Sequence, residues 1–110
     1  MVLFSIDGLG FSEAKKYIQE NTEILDKQFY EGNMKAGRFL GLFYLMEAAE
    51  RGDITSQIAI GYLYEFGVIV ERNITEAKEW YAKAIAQDHP NKDGMMIAAA
   101  ASEAMKRLER

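Results

Sequence analysis

An all-α fold is what these 110 residues predict: an α/α solenoid of two to three helix-turn-helix repeats closed by a capping helix. Three observations lead there. The stretch from Ser56 to Gln87 reads as two short helices joined by a turn, and parts of it are echoed elsewhere in the chain. A single proline leaves the helical segments largely uninterrupted. A helix pair that repeats is usually a solenoid, and solenoids mostly bind other proteins with a surface rather than do chemistry in a pocket.

The echoes can be followed residue by residue. YLMEAAERGD (Tyr44 to Asp53) aligns with WYAKAIAQDH (Trp80 to His89) at a shift of 36, which puts Tyr44 on Trp80 and Ala48 on Ala84. FSEAKKYI (Phe11 to Ile18) aligns with ITEAKEWY (Ile74 to Tyr81) at a shift of 63, and FYEG (Phe29 to Gly32) with YEFG (Tyr64 to Gly67) at 35. The period of 36 lies in the range of helix-pair repeats. Because 63 is not a multiple of it, the first repeat is expected to be trimmed or distorted.

The elements follow in order. Residues 1 to 10 form an apolar lead-in in which VLFSI suits a short extended segment and Gly8-Leu9-Gly10 a turn. The glycine pair lacks the third glycine of a dinucleotide fingerprint, and no Gly-Lys-Ser/Thr follows it. Phe11 to Gly32 divides into two helices with a second start at Asn21-Thr22, although Phe11, Ala14, Ile18, Leu25 and Phe29 also fit one continuous helix. Lys35 to Arg51 is the next helix, ended by Gly52-Asp53, and Thr55 or Ser56 starts the one after it.

In that fourth helix Ile58, Ile60, Leu63 and Tyr64 share one face. Gly61 among them costs about 1 kcal/mol against alanine, which implies close approach of a neighbouring helix. Gly67 suits a C-cap with positive φ. Thr75 is the expected N-cap of the next helix, with Glu76 in its first turn and Ile74 placed for a hydrophobic staple. Ala77, Trp80, Tyr81, Ala84 and Ile85 form its apolar stripe, small residues alternating with large ones so that two helices interlock. Gln87 to Asn91 ends it, because Pro90 disfavours helical geometry at the residue before it. Gly94 to Arg110 forms the last helix, whose Lys106, Arg107 and Arg110 suit a C-terminus.

Gly61, Tyr64, Gly67, Val70, Ala77, Trp80, Tyr81, Lys83, Ala84 and Gln87 carry a resemblance. At that spacing the chain resembles the Sel-one-like repeat family, a relative of the tetratricopeptide repeats. The likeness is close over 56 to 87, partial over 29 to 53 and fragmentary at both ends. It departs from the family pattern at Ile69 and Asp88, where glycines are usual. One Sel-one-like domain over 1–110 is expected, with its best repeat at 56–90, a partial repeat at 22–53 and a capping helix at 94–110. The resemblance implies an adaptor or scaffold that binds a partner protein through a concave face lined by the first helix of each pair. Some members of the family act as immunity proteins that block a toxin, and hydrolytic activity is claimed for others.

Composition sets bounds on function. The apolar fraction of 49% and aromatic fraction of 12% suffice for a core and argue against disorder. No cysteine is present, so disulfides and thiolate metal sites are excluded. A net charge of −4 and the lack of a basic stripe argue against nucleic acid and favour a basic partner. No apolar run is long enough for a membrane span and no secretory signal is visible, which leads to the expectation of a cytoplasmic protein.

Candidate chemistry is sparse. His89 with Asp88 and Asp93 matches no metal-ligand spacing, and no serine or cysteine stands at a telling distance from the one histidine. No catalytic residue, metal or cofactor is expected. Phe39, Phe43, Tyr44, Trp80 and Tyr81 read as core aromatics. By helical phase Tyr62, Glu65 and Phe66 leave the core face, and an aromatic pair beside a carboxylate is the kind of surface that anchors a partner. Tyr30 and Glu31 are their nearest counterparts in the earlier helix. Met34, Met95 and Met96 fit either core gaps or a self-association contact.

Overall fold

Short Gly-Asx punctuation divides the chain. Gly32, Gly52 and Gly67 all adopt positive φ (101°, 95° and 68°), which glycine adopts at no steric cost. In each case the following amide closes the preceding helix by bonding a carbonyl five residues back: Asn33 to Gln28, Asp53 to Ala48 and Val68 to Leu63. That is the Schellman closure. At the first two turns the same Asx residue then caps the next helix. Asn33 accepts from the Ala36 amide, and Asp53 accepts from the amide and hydroxyl of Ser56.

A computed structural model describes residues 5–87 and 92–110. The helices are α1 (Phe11–Glu20), α2 (Thr22–Tyr30), α3 (Met34–Glu50), α4 (Ile54–Phe66), α5 (Ile74–Ala86) and α6 (Lys92–Leu108). The described residues hold no strand. Helices adjacent in sequence pack on each other: α2 on α3, α3 on α4, α4 on α5 and α5 on α6, while α1 lies on α3 and α6 also reaches α4. The shape is elongated, 45 × 29 × 21 Å. Its radius of gyration of 14.9 Å exceeds the roughly 13 Å of a compact chain this long. The fold class predicted from sequence, an all-helical repeat solenoid, is the one observed.

Local readings hold in part. The split between α1 and α2 falls at Asn21 (φ −116°, ψ 12°), whose side-chain amide donates back to the Tyr17 carbonyl rather than capping α2. Gly8 (φ 81°) and the Leu9 amide bonded to the Ile6 carbonyl make the expected turn. The expected extended segment VLFSI lies, Ser5 apart, outside the described residues, as do Asp88 and His89; the side chain of Asp93 is also outside them. Two caps differ from expectation. Asn73, not Thr75, caps α5 by accepting from the Glu76 amide, and Asp53, not Thr55 or Ser56, caps α4. The carboxamide and carboxylate out-compete the hydroxyls because they sit on extended residues just ahead of the first turn. Ile74 is consequently the first helical residue and not a staple in front of it.

Burial also corrects the repeat length. Leu25 and Ile60, Leu42 and Ala77, Met46 and Tyr81, and Ala49 and Ala84 are buried pairs 35 apart. The same interval relates Gly32 to Gly67. The shift of 36 sets Tyr44, 69% exposed, against Trp80, 4% exposed. Tyr44 is thus a surface residue and not part of the core, and Ile85 likewise leaves the buried stripe of α5. Met34, Met95 and Met96 are exposed rather than filling gaps.

Two features hold the best repeat together. Gly61 faces the Tyr81 ring so closely that any Cβ there would overlap it, which is the close approach its place in a helix implied. Gln57, buried between the repeats, donates to the Ala49 carbonyl at 3.0 Å and accepts from Gln87 at 2.7 Å. Gln87 also donates to the Gly52 carbonyl at 2.8 Å. A polar ladder therefore joins the α3–α4 turn to the end of α5. Residues 8–11 are tied to the same repeat by Glu71, which accepts from the Gly8 amide, and by the Phe11–Trp80 ring contact at 4.7 Å.

Candidate protein-binding surface

Helix α4 is buried on most of its circumference, since it packs against α3, α5 and α6. Tyr62 and Phe66, four residues apart, are its exposed aromatics. Their rings stack with centroids 6.2 Å apart and planes 17° from parallel. Tyr62 also meets the buried Tyr81 edge-on at 5.7 Å. Phe66, 60% exposed, lies under the Arg107 guanidinium at 5.7 Å. The pair is therefore backed by α5 on one side and flanked by α6 on the other.

Glu65 does not share that surface. The expectation that it accompanies the aromatic pair into solvent is corrected: it is 4% exposed, because α6 folds over its side of α4. Its Oε1 accepts from the Tyr81 hydroxyl at 2.7 Å and from Arg107 Nη2 at 2.7 Å, and its Oε2 accepts from Arg107 Nε at 2.8 Å. Arg72 Nε donates to its backbone carbonyl at 3.0 Å. The two parallel Arg107 bonds are the strong, planar kind of carboxylate recognition. They hold the Glu65 carboxyl below its ordinary pKa, with the Tyr81 hydroxyl adding to the effect against the opposing pull of burial. Burial first, and then the carboxylate, push the Tyr81 hydroxyl well above its ordinary range.

Tyr30 and Glu31 occupy a different place. Tyr30 ends α2, is 85% exposed and meets Phe29 edge-on at 5.6 Å. Glu31, also exposed, follows it as the C-cap. Tyr30 lines an open cavity of about 500 Å³ between α2 and α3, not the α4 step. A larger recess of about 1020 Å³ runs along the other half of α3, past Phe43, Tyr44 and Glu47 to Asp53.

Sequence reasoning missed two participants. Arg107 looked like a helix-terminal cation, and nothing local marks it as the partner of a residue 42 positions earlier. Tyr44 was hidden by the 36-residue alignment; phase against Leu42 and Met46 was the signal that would have exposed it. Among the described residues no cluster of three or more acidic, histidine or cysteine side chains could hold a metal ion, and no helix is long and apolar enough to cross a membrane.

Stacked helix pairs, Gly-terminated first helices and an aromatic-bearing second helix define a helical-repeat solenoid protein. Residues 54–89, spanning α4, the turn and α5, match the Sel1 repeat. Sel1 repeats generally mediate protein–protein interaction. Searches of the curated proteins and of the solved structures find no significant match.

Proposed function

We propose that this chain is a protein–protein interaction module, an adaptor or scaffold whose partner seats on the Tyr62–Phe66 step. One observation carries the reading: on a helix buried on most of its circumference, two aromatic rings remain exposed, stacked and held in place from behind. Rigid aromatic anchors bind at low entropic cost. Glu65 and Tyr81 contribute by fixing the backbone and rings from inside, so they act as positioning groups. Tyr30 and Glu31 supply a second contact region on the earlier helix. The test is affinity purification of the tagged chain from its own cells with mass spectrometry, repeated with Tyr62→Ala/Phe66→Ala. One stoichiometric partner, lost in the double variant while far-ultraviolet circular dichroism stays unchanged, supports the reading. Retention of that partner by the variant defeats the site assignment.

The net charge of −4 favours a narrower version, an immunity-type inhibitor of a basic toxin. Recovery of a single tightly bound cationic enzyme, inhibited at one-to-one stoichiometry, separates that role from an adaptor's. A hydrolytic role has no comparable observation behind it.

A further inference from the structure

Gly41 lies in the middle of the seventeen-residue helix α3, is exposed, and would meet nothing within 4 Å if it carried a Cβ. A glycine there costs about 1 kcal/mol relative to alanine. Its neighbour on the same stripe, Gly37, is accounted for by packing, because the Phe29 ring of α2 occupies the space a side chain would take. Gly41 has no such contact. What its missing side chain does create is depth: it forms part of the wall of the open cavity of about 500 Å³ between α2 and α3, beside Phe29, Tyr30, Met34, Leu40 and Tyr44.

The charge around this groove is uneven. From Glu20 to Glu31, α2 and its flanks carry Glu20, Glu23, Asp26 and Glu31 against a single cation, Lys27. All five are exposed, and Asp26 lines the groove itself. That short stretch holds a net −3 of the chain's −4. The α3 side carries Arg38 in the lining and Lys35, whose ammonium sits 5.8 Å from the Phe39 ring. The groove thus has an apolar floor with Asp26 on its α2 side and Arg38 on its α3 side, and the exposed acids of α2 and its flanks lie beyond the lining.

We propose that the α2–α3 groove is a docking surface, distinct from the Tyr62–Phe66 step, for a cationic protein segment. Such a segment places one apolar side chain over Gly41 and its flanking lysines or arginines along α2. The net −3 of the α2 segment argues for the occupant: its exposed acids steer and orient a basic chain along α2 and repel an acidic one. From Met34 to Tyr44 the helix rises about 15 Å, the length of four or five extended residues.

The test is selection from a displayed library of random twelve-residue peptides on the wild-type chain, followed by titration of the selected peptides. The expected consensus is one aromatic or aliphatic residue flanked by at least two lysines or arginines. Its affinity is expected to fall about tenfold or more in Gly41→Leu, which fills the floor from a position whose Cβ meets nothing within 4 Å, and in Glu23→Lys/Asp26→Lys. Rising salt weakens it, while Tyr62→Ala/Phe66→Ala leaves it unchanged. Gly41→Leu keeps the melting temperature at or above that of the wild type, so lost binding cannot be lost folding. The proposal is overturned by failure of the selection, by an acidic or neutral consensus, or by peptides that bind Gly41→Leu equally well. Concentration-dependent dimers in sedimentation that Gly41→Leu abolishes also overturn it, since the occupant is then a second copy.

Discussion

Glu65 of α4 and Arg107 of α6 are joined by two hydrogen bonds of 2.7 and 2.8 Å across 42 residues of sequence. This bond pair ties the last helix to the repeat and carries the guanidinium over Phe66. Replacing Glu65 with Gln removes the charge from a buried site where Tyr81 also donates to it. The expected loss is about 1.5–3 kcal/mol of stability, read by urea denaturation.

The same pair makes stability depend on pH with a definite sign. The folded pKa of Glu65 lies below its ordinary 4.5. Its contribution is therefore fully present above pH 4.5 and is lost as pH falls through the lower, folded value. Melting temperatures recorded between pH 3 and 7 should fall at the acid end more steeply for the wild type than for Glu65→Gln. Parallel curves would show that this carboxylate does not govern the acid limb.

Two helical glycines should respond oppositely to alanine. Gly41→Ala is expected to stabilise by about 1 kcal/mol, since the added methyl meets nothing and helix propensity rises. Gly61→Ala forces Tyr81 away from α4 and is expected to cost about 1–3 kcal/mol. Equal effects in chemical denaturation would contradict the close α4–α5 contact.

Ile69 is the one described non-glycine residue with positive φ, 67°. It stands where the Sel1 pattern has glycine, and the backbone keeps the glycine geometry despite the β-branched side chain. Left-handed backbone costs an L-residue about 1–2 kcal/mol. Ile69→Gly should therefore be more stable than Ile69→Ala by about 1 kcal/mol, the reverse of the usual order. Both lose the half-buried packing of Ile69.

The cap assignment is equally open to measurement. Asn73→Ala should cost about 1 kcal/mol through the lost bond to the Glu76 amide. Thr75→Ala, with no capping bond to lose, should stay within about 0.5 kcal/mol. Comparable losses from both would restore Thr75 to the cap.

What the sequence determined by itself is local. Gly32, Gly52 and Gly67 end helices because only the chain's own backbone sets the need for positive φ, and glycine meets it wherever the turn falls. Ile60, Tyr64, Ala77 and Tyr81 were legible as core because helical periodicity acts over four residues. The Sel1 repeat was legible for the same reason, being a pattern of turns and faces within one helix pair. Burial of particular faces needed the tertiary structure. Helical phase set Glu65 beside Tyr62 and Phe66, but α6 covers Glu65 and leaves the two rings open, through an arginine that no short-range pattern connects to it. Tyr44 faces outward and Gly41 lies over open space because α2 stops short of covering that side of α3. Periodicity says that a helix has a buried side; which side a distant helix covers depends on packing that brings together residues far apart in the chain.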